Sequence, residues 1–260
     1  MTFRRIEPEK LSQSVIRQIE DLILRGILRP GERLPSERDL ADRLGVSRPS
    51  LREAIGDLCQ RGLLTTRASS GIFVAEVLGS AFSPALVQLF ARHEDAVFDY
   101  IAFRRDIEAL AAERAAQLAS DTDLAVIDTL FQRMLIAHQK RDPTAEAELD
   151  AEFHLSIMEA GHNVIMLHMM RSMFDLLRQG VFYNRKSMFA QRATRDGLLA
   201  EHSRINDALQ ARNPAAARAA VAAHLDSIET MLRDQQRALL HERTAEQRLA
   251  HERERAARAK

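Results

Sequence analysis

The sequence carries a single cysteine, Cys59, and no tryptophan. One cysteine allows neither a disulfide framework nor a cysteine-built zinc site within the chain, and this fits a reducing cytoplasm. Aromatic residues make up only 5%. Charge of neither sign is in excess, with 37 Lys plus Arg against 37 Asp plus Glu. A globally basic nucleic-acid binder is therefore excluded, although a local basic surface is not. No run of about 18 apolar residues occurs, so no transmembrane helix and no membrane partner are expected. Residues 1–11 mix charges and lack the apolar stretch of a secretory signal. No solenoid-type repeat is present.

What is present favours helices. Ala, Leu, Arg and Glu abound, and all four are good helix formers. The chain is 46% hydrophobic, enough for real cores, and its 260 residues allow one large domain or two ordinary ones.

The first third has a distinct pattern. Val15, Ile16, Ile19, Leu22 and Ile23 recur in steps of three and four, which makes one face of a helix over 11–25. Gly26 and then Pro30-Gly31 stop it. Ser36 can cap a second, short helix, with Asp39 at the capping-box position and Gly45 free to take the left-handed end. Ser47 caps a third helix, and Pro49 is tolerated in its first turn. Leu51, Ala54, Ile55 and Leu58 form its buried stripe. Two short runs, 63–67 and 72–74, then flank a small polar turn and read as a hairpin. Helix, helix, helix, hairpin is the order of a winged helix-turn-helix.

After a connector at 77–83 the pattern is helical almost to the end. Helices are expected near 84–91, 95–118, 121–140, 143–160, 163–181, 187–191, 195–212 and 214–240. The expected architecture is mainly α: a winged helix-turn-helix over 1–76 and an all-α helical bundle over 84–240. Residues 241–260 are charged, lack an apolar stripe, and read as a frayed helix extension or a disordered tail.

A helix-turn-helix reads the major groove with the first residues of its second helix. Here those residues include Ser47, Arg48, Ser50 and Arg52. An arginine fork matches guanine O6 and N7, and serine can bond phosphates or base edges. Arg38 on the preceding helix is placed to reach the backbone, and Arg67 on the wing to reach phosphate or the minor groove. Taken singly, each of these arginines is equally well a solvated surface residue.

The helical part holds a second constellation. Asp150 and His154 lie four apart on one helical face beside Leu149, Phe153 and Ile157, so the pair faces partly inward. His202 and His224 sit on later helices among core-type residues. Three imidazoles and a carboxylate converging in a bundle would make an N₃O site for Zn²⁺, Ni²⁺ or Mn²⁺, with positions left for a ligand. A histidine beside an apolar stripe is also commonly a hydrogen-bonded core residue, and spacing alone leaves that reading open. His93, His138, His162, His168, His241 and His251 are left with it, or as surface.

Residues 11–75 resemble the winged helix of the GntR superfamily. The resemblance rests on Leu28-Arg29-Pro30-Gly31, Leu34-Pro35-Ser36-Glu37-Arg38-Asp39-Leu40-Ala41, Gly45-Val46-Ser47-Arg48-Pro49-Ser50-Leu51-Arg52-Glu53-Ala54, Gly62-Leu63-Leu64 and Gly71-Ile72-Phe73-Val74. It implies that Arg38, Arg48 and Arg52 contact an operator. One departure is the wing tip, usually richer in glycine, where Ser69 and Ser70 stand. Residues 84–235 look like the FadR-type C-terminal effector domain, on Phe103-Arg104-Arg105-Asp106-Ile107-Glu108, Asp150 to His154, Glu159-Ala160-Gly161-His162-Asn163, Glu201-His202 and His224-Leu225. In its metal-binding branch the ligands correspond to Asp150, His154, His202 and His224, with zinc the first choice of ion. Long-chain acyl-CoA responders typically lack this set.

Arg104 stands at the family's effector-arginine position, where its fork suits a carboxylate. It is equally placed to pair with Glu108 one turn along, and Arg105 could exchange roles with it. Around 181–185 the chain looks closest to pyruvate-, lactate- and glycolate-responsive members, and Tyr183, Asn184 and Arg185 could line the pocket or a dimer surface. The expectation is a cytoplasmic homodimeric regulator on palindromic DNA, released by a small carboxylate. The rival readings are a metal-responsive regulator, in which the ion is structural or itself the signal, and a metalloenzyme that activates water.

Overall fold

The computed structural model describes residues 10–67, 70–75, 83–93, 95–178 and 192–258. Residues 77–82 of the expected connector, the wing-tip residue Ser69, residues 183–185 and the expected helix 187–191 lie outside the described residues. The chain forms two compact units, residues 1–86 with 163–176, and residues 87–162 with 177–260.

In the first unit α1 (Leu11–Leu24), α2 (Glu37–Leu44) and α3 (Arg48–Gln60) precede β1 (Leu64–Arg67) and β2 (Gly71–Val74). The expected punctuation is in place. Ser36 Oγ accepts the Asp39 N–H at 3.2 Å, and Ser47 Oγ accepts the Ser50 N–H at 3.3 Å. Gly45 ends α2 at φ 65°, a backbone conformation that costs glycine little. The apolar stripes of α1 and α3 meet with Leu34, Ala41, Leu64, Ile72 and Val74 in one core. Leu51, Ala54 and Leu58 are fully buried there.

The hairpin is antiparallel, with Leu64 opposite Val74 and Arg67 opposite Gly71. A third segment joins it. The Leu34 N–H donates to Ile72 O, and the Val74 N–H donates to Glu32 O, both at 2.9 Å. This pairing was not expected, because Glu32-Arg33-Leu34 is too short a run between Pro30 and Pro35 to read as a strand. α8 (Val164–Arg178), expected within the helical domain, has its residues 164–176 in this unit.

The second unit holds α5 (Ala96–Leu118), α6 (Asp121–Lys140), α7 (Pro143–Ala160), α9 (Arg192–Gln210) and α10 (Pro214–Arg258), after the short α4 (Pro84–Arg92). Ser120 and Asp123 make a full capping box at the start of α6. Asp142 caps α7 ahead of Pro143. α10 lies along α5, α7 pairs with α6 and α5, and α9 bridges α6 and α10. Small residues on α5, among them Ala109, Ala112, Ala115 and Ala116, let the helices approach closely around Phe131, Phe153, Ile205 and Val221. α10 continues to Arg258, through the stretch read as a charged tail. Its last turns are rich in Ala, Arg, Glu and Gln, which favour helix without a buried stripe.

Candidate metal centre and nucleic-acid interface

Four helical side chains converge in the second unit. α7 brings Asp150 and His154, one turn apart; α9 brings His202 and α10 brings His224. Each offers one donor atom, and the four donors lie within 4.8 Å of one another. Nε2 of His202 stands 3.0 Å from Asp150 Oδ1 and 3.3 Å from Nε2 of His154. Donors held about 2.0–2.1 Å from an ion stand roughly 3–4 Å apart, so the quartet suits a divalent metal. All four side chains are buried, with Asp150 the most exposed at 5%. Nε2 of His224 is buried with no hydrogen-bond partner among the described residues. A buried nitrogen in that state is costly unless something completes it, and a cation would.

Two carboxylates stand behind the imidazoles. Nδ1 of His154 lies 2.7 Å from Glu108 Oε2 on α5, and Nδ1 of His224 lies 2.8 Å from Glu201 Oε2 on α9. Each accepts the Nδ1–H, which leaves the Nε2 lone pair turned to the centre. Burial pushes the His154 and His224 pKa values down; for His224 the neighbouring His202 and His154 push further the same way. Both rings are therefore neutral, as ligands must be. Burial alone would raise the Glu108 carboxyl, but the Arg104 charge and the contact with His154 outweigh it and hold it at about 2. Burial pushes Glu201 up.

Arg104 is fully buried and its Nε donates to Glu108 Oε1. The pairing with Glu108 weighed from the sequence is thus present. Through Glu108, which also contacts His154, the Arg104 cation lies beside the quartet, and its charge acts on His154 and His224. Arg105 does not share that position: its Nη1 bonds Asp226 at 2.7 Å on the surface.

In the first unit Arg38, Ser47, Arg48, Arg52 and Arg67 are exposed and Ser50 is half-buried. Ser47 caps α3 and its hydroxyl lies 2.9 Å from that of Ser50. Arg52 Nε bonds Glu37 Oε2 at 2.8 Å, so α2 fixes the guanidinium of the third helix. Arg67 lies over the Phe73 ring at 4.5 Å. Three side chains with evident work do not stand out for it in the sequence: Glu37, Glu108 as the partner of His154, and Glu201. For Glu201 the adjacency to His202 is the available signal.

Residues 11–74 match the model for bacterial regulatory proteins of the gntR family, and residues 99–227 match the FCD domain. The chain is 35% identical over 230 residues to the protein named as the regulatory protein of the L-lactate dehydrogenase operon in Escherichia coli (strain K12), covering 87% of this chain and 88% of that one. It is 30% identical to the Glc operon transcriptional activator of the same organism, covering 88% and 91%. Among solved structures, Streptococcus agalactiae GntR shares the fold at a TM-score of 0.50 and 24% identity, covering 84% of this chain and 99% of that one. These relatives are transcriptional regulators and not enzymes, which removes the metalloenzyme reading. The chain belongs to the GntR family of bacterial transcriptional regulators, with an FCD domain following its winged helix.

Proposed function

We propose that this regulator is a cytoplasmic homodimeric repressor whose hold on its operator is loosened by a small carboxylate, a 2-hydroxy or 2-keto acid such as lactate, pyruvate or glycolate. The observation that carries the reading is the buried Asp150, His154, His202 and His224 quartet with the Arg104 cation beside it. Those four residues would hold the ion, with zinc preferred for three imidazoles and one carboxylate over nickel or manganese. When bound, the ion would supply Lewis acidity towards an oxygen donor. Arg104 balances the acid's negative charge, and Glu108 keeps Arg104 and His154 in register. A relative named for an L-lactate dehydrogenase operon supports the choice of acid.

On the DNA side, Arg48 and Arg52 read base edges, Ser47 and Ser50 bond phosphate or base edges, and Arg38 and Arg67 hold the backbone. Two copies related by a two-fold axis place one third helix in each half of a palindrome. The acid acts only in so far as it binds one arrangement of the dimer more tightly than the other.

The test is fluorescence anisotropy of operator DNA titrated with L-lactate, pyruvate or glycolate, using zinc-loaded protein and EDTA-treated protein. Release by one acid, only when zinc is present, is expected. Release on chelation with no response to any acid would make the ion itself the signal. Tighter binding with acid would overturn release as the response.

A further inference from the structure

With the segment 32–34 beside β2, the wing is three segments wide, and alternation along each sorts its side chains onto two faces. Leu34, Leu64, Ile72 and Val74 fill the inner face and are buried. The outer face therefore carries Arg33, Thr65, Arg67, Gly71 and Phe73. Arg33 stands opposite Phe73 on one side of β2, and Thr65 stands opposite it on the other. Arg67 is opposite Gly71, two residues along. Arg33, Thr65 and Arg67 are all exposed.

Two arginines use that face. The Arg33 guanidinium lies where a side chain at 71 would stand: a Cβ on Gly71 would be 3.1 Å from its Nε and 3.5 Å from its Nη2. Gly71 also has φ +109°, which residues with a side chain rarely adopt, so two separate reasons favour glycine there. Arg67 leans the other way and lies over the Phe73 ring, its Cζ 4.5 Å from the centroid. An aromatic face holds a guanidinium without occupying its N–H donors. Among the described residues neither Arg33 nor Arg67 has a carboxylate partner. Glu32, next to Arg33 in the chain, is engaged elsewhere, its Oε2 accepting the Arg29 N–H at 3.0 Å. Two cations gathered over one strand repel each other, and a bound anion would reverse that cost.

We propose that Arg33 and Arg67, seated on Gly71 and Phe73, form a phosphate clamp on the outer face of the wing, and that Arg33 is a DNA contact in its own right. This rests on the reading of Arg67 as a backbone contact and deepens it. Guanidinium forks match phosphate oxygens, and both forks here are braced against the sheet. The clamp carries no sequence information. It holds the wing on the sugar-phosphate backbone while the start of α3 reads base edges. Gly71 belongs to it by leaving the space that Arg33 fills.

The test is fluorescence anisotropy of the full chain over a salt series, and it needs neither metal nor acid. Two duplexes are compared, one enriched from a random-sequence pool by the wild-type protein and one with that sequence scrambled. Arg33→Gln removes an exposed charge that has no carboxylate partner among the described residues, so the fold is kept. It should weaken binding to both duplexes by the same factor, about three- to ten-fold, and lower the slope of log affinity against log salt by about one. Arg33→Lys keeps the charge and should restore most of that slope. Arg67→Gln tests the backbone reading of the wing by itself. If it lowers the slope and Arg33→Gln does not, the clamp falls and the backbone reading stands; if neither does, both fall. A loss in Arg33→Gln confined to the enriched duplex would also overturn the clamp, because it would make Arg33 a reader of bases.

Discussion

Glu108 and His154 meet at 2.7 Å across α5 and α7, both buried, and their contact ties Arg104 to one member of the Asp150, His154, His202 and His224 quartet. Removing the Glu108 charge should therefore weaken metal binding without touching a ligand. Glu108→Gln is expected to lower zinc affinity by about 10- to 100-fold, the usual effect of losing a carboxylate behind a ligating histidine. Competition with a chromophoric chelator reads this directly, and an unchanged affinity would contradict the arrangement.

The pH dependence of the metal-free protein follows from the same groups. His154 and His224 are held below their ordinary pKa by burial, so the unfolded chain takes up protons near pH 6.5 that the folded chain refuses. Stability then falls as pH drops below about 6.5. Glu108 adds to this lower down: its carboxyl titrates at about 2 when folded. Its contribution is present above its unfolded value, about 4.3, and is lost as pH falls from there towards the folded value. Thermal melts in EDTA should show the melting temperature falling by more than about 4 °C between pH 7 and pH 5, and a flat profile would contradict it.

Much of this is legible in the sequence, for a physical reason. Caps, glycine stops and apolar periodicity are local, so the roles of Ser36, Ser47 and Gly45 follow from their immediate neighbours. Asp150 and His154 share a helix face, His202 and His224 stand among core-type residues on later helices, and the family resemblance ties the four together. The carboxylates behind the histidines are another matter. Glu108 has a visible partner one turn away in Arg104, and nothing local announces that His154, on another helix, needs it as well. The allegiance of α8 is hidden likewise, since His168 and Arg171 reach carbonyls far back in the chain and backbone acceptors leave no mark in a sequence.

The DNA-binding surface makes its own prediction. Arg48 is exposed at the start of α3. Arg48→Ala should cost about 1–3 kcal/mol of operator binding, roughly 5- to 150-fold in Kd, with reduced sequence discrimination. Glu37→Gln should also relax discrimination, because Arg52 loses the carboxylate that aims it. Anisotropy against specific and scrambled duplexes separates the two effects.

A buried ion pair joins α9 to α7 in the helical unit. Arg195 spans both Glu146 carboxylate oxygens and also donates to His138 O at 2.8 Å. Glu146→Ala strands that arginine and should destabilise by about 3–5 kcal/mol. The double variant Glu146→Leu, Arg195→Met should recover much of the loss. Urea unfolding measures both, and additive losses would show that the pair is not coupled.

In the proposed function, metal and acid meet at one pocket. The most direct measurement is a thermal-shift panel on zinc-loaded protein with L-lactate, D-lactate, pyruvate, glycolate, citrate and an acyl-CoA, since a ligand that binds only the folded form raises its melting temperature. A saturable shift with one small acid, absent in Arg104→Ala and in His202→Ala, is predicted. No shift with any acid, together with a large loss of stability on chelation, would contradict carboxylate sensing and leave the ion as a structural element or the signal itself.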